Sequence, residues 1–199
     1  MILNQRQKVE NAVAYFAQEY RRAYKRWPAQ MWIYKLLALL DFRILKATGR
    51  PCLGLDYFAM ENGPVPPYLY DNRHNENVSA IYRFTPSLEG GGKIYIQALK
   101  KPELEYFSDR AVNEMERLSQ EFILSGKGLS YLIEATHKLR SWETAWNAAL
   151  NFGRRRMLME YSDEFSPDIH TKPTDELSWE EEAFLAYEKR REAELREAE

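Results

Sequence analysis

The sequence predicts a mainly α-helical protein of the α+β type, a compact helical bundle with one antiparallel β-hairpin and a C-terminal helical extension. Three observations lead to this fold class. Apolar residues recur at three- and four-residue steps over most of the chain, which is the spacing of amphipathic helices. Two short runs rich in Ile, Tyr and Phe flank three consecutive glycines at 90–92, which is typical of a hairpin. Residues 174–199 carry ten acidic and four basic side chains, which is typical of a charged, solvated helix.

The size and composition of the chain predict one domain and a cytoplasmic protein. With 199 residues, of which 45% are apolar, the chain can bury one substantial core. We assign that core to residues 1–161, a linker to 162–177 and a charged helix to 178–199. Cys52 is the single cysteine, so an internal disulfide and a cysteine-based zinc cluster are excluded. Neither a secretory signal nor an apolar run long enough to span a bilayer is found, so no membrane association is expected.

The first predicted helix covers residues 4–27. Its apolar positions, which include Val9, Val13 and Phe16, give it one buried face. Asn4 followed by Gln7 resembles a capping box at its start, and Trp27-Pro28 ends it. The opposite face is basic near the end, which indicates either a solvated surface or a docking patch for an acidic partner. The residues of this basic end are Arg21, Arg22, Lys25 and Arg26.

The second helix, predicted over 29–48, is apolar on nearly all sides, so it is expected at the centre of the bundle. Gly49-Arg50-Pro51 ends it. The next segment predicts a short helix near 55–62, a reversal at Gly63 in the left-handed conformation, and a turn of helix near 67–71 that begins at Pro67. Pro64 cannot continue the preceding helix.

The later elements follow from the same local signals. A polar loop at 72–77 precedes the two hairpin strands, predicted at 80–85 and 93–99. Ser108 opens a helix that ends before Gly126, and another helix covers about 129–139. Trp142 and Trp146, four residues apart, favour a core-facing helix that continues to about residue 161. Ser178 and Glu181 then form a capping box for the final helix.

No pattern in the sequence predicts catalysis, a cofactor or a metal site. A nucleophile such as Cys52 would need a base from His74, His137 or His170, and no spacing links these residues. The chain has no His-Glu-x-x-His pattern, and the three glycines lack the residues of a phosphate-binding loop. We therefore expect a protein that is not an enzyme. A hydrolase that uses Cys52 or His137 is the alternative that this interpretation must exclude.

Three motifs carry a resemblance to a known family. They are the Lys-Leu-Leu…Asp helix at 35–41, the Gly-Arg-Pro turn at 49–51, and the Gly-x-x-Tyr-x-Ala-x-x-x-Gly-Pro-Val pattern at 54–65. Together with Thr136-His137 and Trp142, they resemble the Panacea domain, the SocA-like antitoxin family of bacteria and phages, over about residues 32–146. The residues that match are Lys35, Asp41, Gly54, Tyr57, Gly63, Pro64, Val65, His137 and Trp142. Two positions depart from the family pattern: Arg43 stands where a His is frequent, and Ser141 stands where a Pro is frequent.

The resemblance implies an antitoxin of a toxin–antitoxin system, which neutralises a cognate protein toxin by direct contact. One branch of the family also resembles a proteolytic adaptor that delivers its toxin to the ClpXP protease. A DNA-binding regulator of its own operon is the alternative function. Residues 1–173 hold twenty-four basic and twenty acidic side chains, too small an excess to predict a nucleic-acid partner.

Three surfaces are candidates for toxin binding, while the motif residues are expected to support the fold. The first is the basic end of helix one, and the second is the pair Tyr68 and Tyr70 beside the Pro-rich turn. The third, which we favour, is the terminal extension with Trp179, Phe184 and Tyr187, because aromatic residues and Arg most often carry interface energy. Packing of the extension on its own domain, or pairing of two copies into a homodimer, is the alternative.

Overall fold

A computed structural model describes residues 4–75, 77–87 and 91–197 of the chain. Within these ranges seven α-helices surround one core, and four short strands form two antiparallel two-stranded sheets. The mainly α fold class is therefore confirmed, with one small sheet in addition to the expected hairpin. No helix in the described part of the chain is long and apolar enough to cross a membrane.

Helices α1 (Gln5–Tyr24) and α2 (Gln30–Thr48) form the centre of the fold. Helix α2 is buried along most of its length and contacts α1, α4, α5 and α7, so its predicted central position is confirmed. Helix α1 is shorter than the predicted 4–27, because Lys25 takes a left-handed conformation and closes it. The predicted capping box at Asn4 is wrong, since the Asn4 side chain makes no capping hydrogen bond.

The helix predicted near 55–62 is wrong, because this segment is extended. Strand β1 (Phe58–Ala59) pairs with β4 (Met157–Leu158) on one edge and bridges to Val65 on the other. Gly63 has the expected positive φ, +88°, but it closes a turn through its N–H to the Met60 carbonyl rather than ending a helix. Helix α3 (Pro67–Asp71) then begins at Pro67, as predicted.

The predicted hairpin is present as β2 (Tyr82–Pro86) and β3 (Ile94–Ala98), with Phe84 opposite Ile96. Side chains of both strands alternate between the core and the outside, which seats the hairpin on the bundle. The N–H of Ile96 donates to the Pro28 carbonyl (2.9 Å), so β3 also fixes the connection between α1 and α2. The hairpin tip at 88–90 lies outside the described residues.

Helix α4 (Asp109–Leu118) begins after Ser108, whose side chain accepts a hydrogen bond from the Ala111 N–H, so this cap is confirmed. A π-helical stretch, Ser119–Leu124, extends it. Helices α5 (Leu129–His137) and α6 (Arg140–Asn151) follow. The prediction that α6 reaches residue 161 is wrong, because the chain turns at Phe152 and Gly153 and continues into β4.

The final helix, α7 (Trp179–Glu197), packs on the body of the protein. Its capping box is confirmed, since the Ser178 N–H donates to Glu181 Oε2 (2.8 Å) and the Glu181 N–H donates to Ser178 Oγ (3.2 Å). A Cβ on Gly49 would lie 2.2 Å from the Glu180 carbonyl oxygen, so glycine at the end of α2 permits this close packing. Two short 3₁₀ turns, Tyr161–Glu164 and Thr174–Glu176, lie before α7, and the segment between them buries Phe165 and Ile169.

Candidate functional site

Four parts of the fold meet around Gly63. Helix α2 contributes Lys35, the turn after β1 contributes Gly63 and Pro64, α5 contributes His137, and α6 contributes Trp142. We call these five residues the motif cluster. The buried Lys35 ammonium donates a hydrogen bond to the Pro64 carbonyl (2.8 Å). A Cβ on Gly63 would lie 2.5 Å from Thr136 Oγ1 and 3.2 Å from Lys35 Cε, so any side chain there would push α5 and α2 from the turn.

An aromatic stack forms the outer side of the motif cluster. The rings of His137 and Trp142 are nearly parallel, with centroids 3.8 Å apart. Trp142 is 8% exposed and its Nε1–H donates to the Met60 carbonyl (3.1 Å), which ties α6 to the turn at Gly63. Burial, followed by the nearby Lys35 charge, lowers the pKa of His137. His137 Nε2 is buried and has no hydrogen-bond partner among the described residues, so burial favours the neutral ring.

The second motif residue of α2, Asp41, holds the segment before β1. Its fully buried carboxylate accepts hydrogen bonds from the N–H groups of residues 53, 54 and 55 and from two tyrosine hydroxyls, those of Tyr57 (2.9 Å) and Tyr161 (3.2 Å). The helix over 55–62 does not form because other parts of the chain take its carbonyl groups. The carbonyls of Tyr57 and Phe58, which a helix would pair with residues 61 and 62, accept instead from the N–H groups of Met159 (2.9 Å) and Val65 (2.9 Å). Burial raises the pKa of Asp41 to about 6, while the hydrogen bonds act in the opposite direction. Both oxygens accept hydrogen bonds, and bonds of this kind favour the ionised form.

Lys35 should make the stability of the fold depend on pH. Burial lowers its pKa to about 7, whereas an unfolded Lys has a pKa of about 10.4. The unfolded chain thus binds more protons above pH 7, so the free energy of unfolding should rise with pH by up to about 1.4 kcal/mol per unit between about pH 7.5 and 8.5. Urea unfolding across this window measures the slope. Lys35→Met should remove it, and the exposed-site control Lys101→Met should keep it; an unchanged slope in Lys35→Met would contradict the assignment.

The comparison with protein-family models identifies the region that contains this cluster. The model described as antitoxin SocA-like, Panacea domain, matches residues 33–143, more than half of the chain. The chain belongs to this family. The matched Panacea region runs from the first buried turn of α2 to the residue after Trp142, so it includes every motif residue described above. The searches of curated proteins and of solved structures found no match.

Both departures from the Panacea pattern are accommodated by local contacts. Arg43 pairs with Glu121 (2.9 Å) and Glu114 (3.2 Å), which joins α2 to α4 and its π-helical extension. Ser141 donates two hydrogen bonds to the buried Glu164 carboxylate, one from its N–H (3.0 Å) and one from its hydroxyl (2.8 Å). Proline has no N–H, so the first of these bonds requires a residue other than Pro at this position.

The basic end of α1 lies on the surface, apart from the Panacea motif cluster. Arg21, Arg22, Lys25 and Arg26 are all exposed. Some of this charge is engaged locally, because Arg22 pairs with Glu19 and the Arg21 guanidinium lies 4.4 Å from the centre of the Trp27 ring. The space along this end of the helix is open to solvent and is lined by residues of α1 and its cap.

The predicted tyrosine pair and the aromatic residues of α7 differ in accessibility. Tyr68 is exposed, whereas Tyr70 is half-buried beneath the Arg73 guanidinium. On α7, Phe184 is 1% exposed and stacks on Phe165, with ring centroids 4.8 Å apart. Tyr187 is also packed against the core, while Trp179 is 64% exposed. Two of the three aromatic residues proposed as toxin anchors are thus covered by their own domain.

The residues considered for catalysis do not form a site in the described part of the chain. Cys52 is buried, and burial raises the pKa of its thiol to about 12, so the reactive thiolate is disfavoured. His137 lies in the motif cluster, and the exposed His170 is paired with Glu188. Within the described ranges no group of three or more His, Cys, Asp or Glu side chains is placed to hold a metal ion.

Sequence reasoning missed one exposed surface, formed by the end of α6, the following turn and β4. We call it the 150–158 surface. Its exposed apolar and basic members are Leu150, Phe152, Arg154, Arg155, Arg156 and Leu158. The signal for it was the break at Phe152-Gly153, which stops the helix and leaves its last apolar residue at the edge of the body.

Proposed function

We propose that this chain is an antitoxin that neutralises a cognate protein toxin by stoichiometric contact, without turnover. Membership of the SocA-like Panacea family over residues 33–143 is the observation that carries this proposal. The toxin partner follows from the family description.

The chemistry of the motif residues supports a binding function over a catalytic one. Lys35 and the Trp142 indole donate to backbone carbonyls, and the Asp41 carboxylate accepts from backbone and tyrosine donors. Polar groups engaged in this way position the turn before α3 and are not aimed into an open cleft, where a reaction centre would need them. The motif therefore acts as a frame that holds surfaces in place for a partner.

Co-expression with the product of the neighbouring gene tests the proposal. The neighbour should stop growth when it is expressed alone, and growth should return when this chain is present at equal or greater abundance. An unrelated toxin serves as the control and should still stop growth. A neighbour that is harmless alone, or one that remains lethal despite abundant folded chain, would overturn the proposal.

Two routes of neutralisation give different results in cells that lack ClpX. Steric neutralisation leaves the toxin intact and independent of the protease, so growth should be restored and the toxin level should stay constant. Delivery to ClpXP requires the protease, so protection should be lost in the same cells. We propose the steric route, since it needs only the contact itself. Binding to operator DNA with a steep salt dependence would instead favour the transcriptional regulator.

A further inference from the structure

The apolar face of α6 extends beyond the body that should cover it. Trp142, Trp146 and Leu150 follow one another at four-residue steps, so they lie along one side of the helix. Trp142 is buried and Trp146 is half-buried with its ring stacked 6.1 Å from that of Trp142, but Leu150 is 56% exposed. Phe152, directly after the helix, is 71% exposed. This row of apolar side chains thus begins in the motif cluster and ends at Leu150 and Phe152, which no element of the described structure covers.

Three consecutive arginines border this apolar end. Arg154, Arg155 and Arg156 are all exposed, and none of them forms an ion pair with an acidic side chain among the described residues. Instead, the Arg154 guanidinium lies 5.9 Å from the centre of the Phe152 ring, and that of Arg156 lies 4.7 Å from the Phe58 ring on β1. Leu158, which is paired with Phe58 across the small sheet, adds a further exposed apolar side chain. Hot spots of protein interfaces are enriched in arginine and aromatic residues, and this surface combines both.

We propose that the 150–158 surface is the docking site for the toxin, and that the toxin presents a complementary patch of apolar and acidic side chains. This inference rests on the proposed antitoxin function. Three exposed guanidinium groups without an acidic partner among the described residues favour a partner with carboxylates, which they can bind through paired hydrogen bonds. The partner must also present apolar side chains, which would cover Leu150, Phe152 and Leu158. The surface lies beyond residue 143, where the family match ends, so the match itself assigns no role to it.

A protein fits this surface better than a nucleic acid or a second copy of the chain. Sites for nucleic acid spread basic groups along a face that follows the phosphates, whereas here three arginines are set among three exposed apolar side chains. A second copy could offer the acidic residues and the exposed Trp179 of its α7. That helix, however, already buries its other large aromatic residues against its own domain.

A matched pair of double variants tests the docking site, with the purified product of the neighbouring gene as the probe. Phe152→Ser with Arg155→Glu removes an exposed aromatic group and reverses an exposed charge on the 150–158 surface. Leu99→Ser with Lys101→Glu makes the equivalent changes at another exposed site. The first variant should bind the toxin at least about 30-fold more weakly than the wild type. The control should bind equally well, and both variants should keep the wild-type melting temperature because the changed side chains are exposed.

The two single changes should affect different rate constants. Arg155→Glu should slow association and reduce its dependence on salt, since an exposed charge acts mainly on encounter. Phe152→Ser should mainly speed dissociation, because it removes buried contact area from the formed complex. Equal rate constants for both variants and the wild type would contradict the site.

The outcomes separate this inference from the function on which it rests. If the wild type does not neutralise the neighbouring product, the proposed function fails, and the docking site fails with it. If the wild type neutralises the product and the double variant does so equally well, only the docking site is overturned. Loss of DNA affinity in the variant, measured between about 50 and 200 mM salt, would assign the surface to nucleic acid. Loss of self-association in sedimentation, with toxin binding unchanged, would assign it to a second copy.

Discussion

Asp41→Ala is expected to lower the free energy of unfolding by about 3–5 kcal/mol, because removing one partner leaves buried polar groups unsatisfied. The carboxylate accepts five hydrogen bonds, three from backbone N–H groups and two from tyrosine hydroxyls. Alanine cannot accept any of them, and the surrounding core gives water little room to replace the lost acceptor. A loss of this size is a large part of the 5–15 kcal/mol by which domains are usually stable.

Urea unfolding followed by circular dichroism measures the Asp41→Ala effect. Asp175→Ala, at an exposed position, is the control and should change stability by no more than about 0.5 kcal/mol. The loss of stability in Asp41→Asn should lie between those of Asp41→Ala and Asp175→Ala. The amide keeps one acceptor oxygen, but its NH₂ group turns donors toward the remaining N–H and O–H groups. The usual net value of one hydrogen bond is about 1 kcal/mol. A loss of stability below this value for Asp41→Ala would show that the five bonds are dispensable.

Backbone hydrogen bonds between distant parts of the chain show why sequence reasoning succeeded for the long helices and failed near residue 55. Helices α1 and α4 follow from apolar periodicity, and α2 follows from a run that is apolar on nearly all sides. The caps at Ser108 and Ser178 follow from local side-chain chemistry. Local signals predict a helix over 55–62, but the Tyr57 carbonyl, which that helix would pair with residue 61, accepts from the N–H of Met159, far along the chain (2.9 Å). Tertiary contacts of this kind override local propensity, and no window of sequence contains them.

The site was predictable as a set of residues but not as an arrangement. The family motifs identified Lys35, Gly63, Pro64, His137 and Trp142 without indicating that they form one cluster. Their convergence depends on the paths of α2, α5 and α6. The exposure of Leu150 and Phe152 was also hidden, because the same spacing that buries Trp142 continues to Leu150. Periodicity identifies a face of a helix, but it does not indicate where the covering body ends.

The second large effect is expected from Trp142→Ala, which should cost about 3–5 kcal/mol of stability. The ring is buried, stacks on His137 at 3.8 Å and donates a hydrogen bond to the Met60 carbonyl. Removing it leaves a cavity at the junction of α5, α6 and the turn that carries Gly63. Trp142→Phe should cost less, since it keeps an aromatic ring in the stack and loses the indole N–H.

Stability and neutralisation measured on the same Trp142 variants distinguish a structural role from a direct contact. If Trp142 positions α6, then Trp142→Ala should reduce both the melting temperature and the amount of folded protein. At matched folded concentration it should still bind the toxin, because the exposed groups at 150–158 are unchanged. Trp146→Ala is the comparison, since that ring is the next in the stack and is half-buried. A wild-type melting temperature combined with lost neutralisation would instead place Trp142 in the toxin interface and extend the docking site inward along α6.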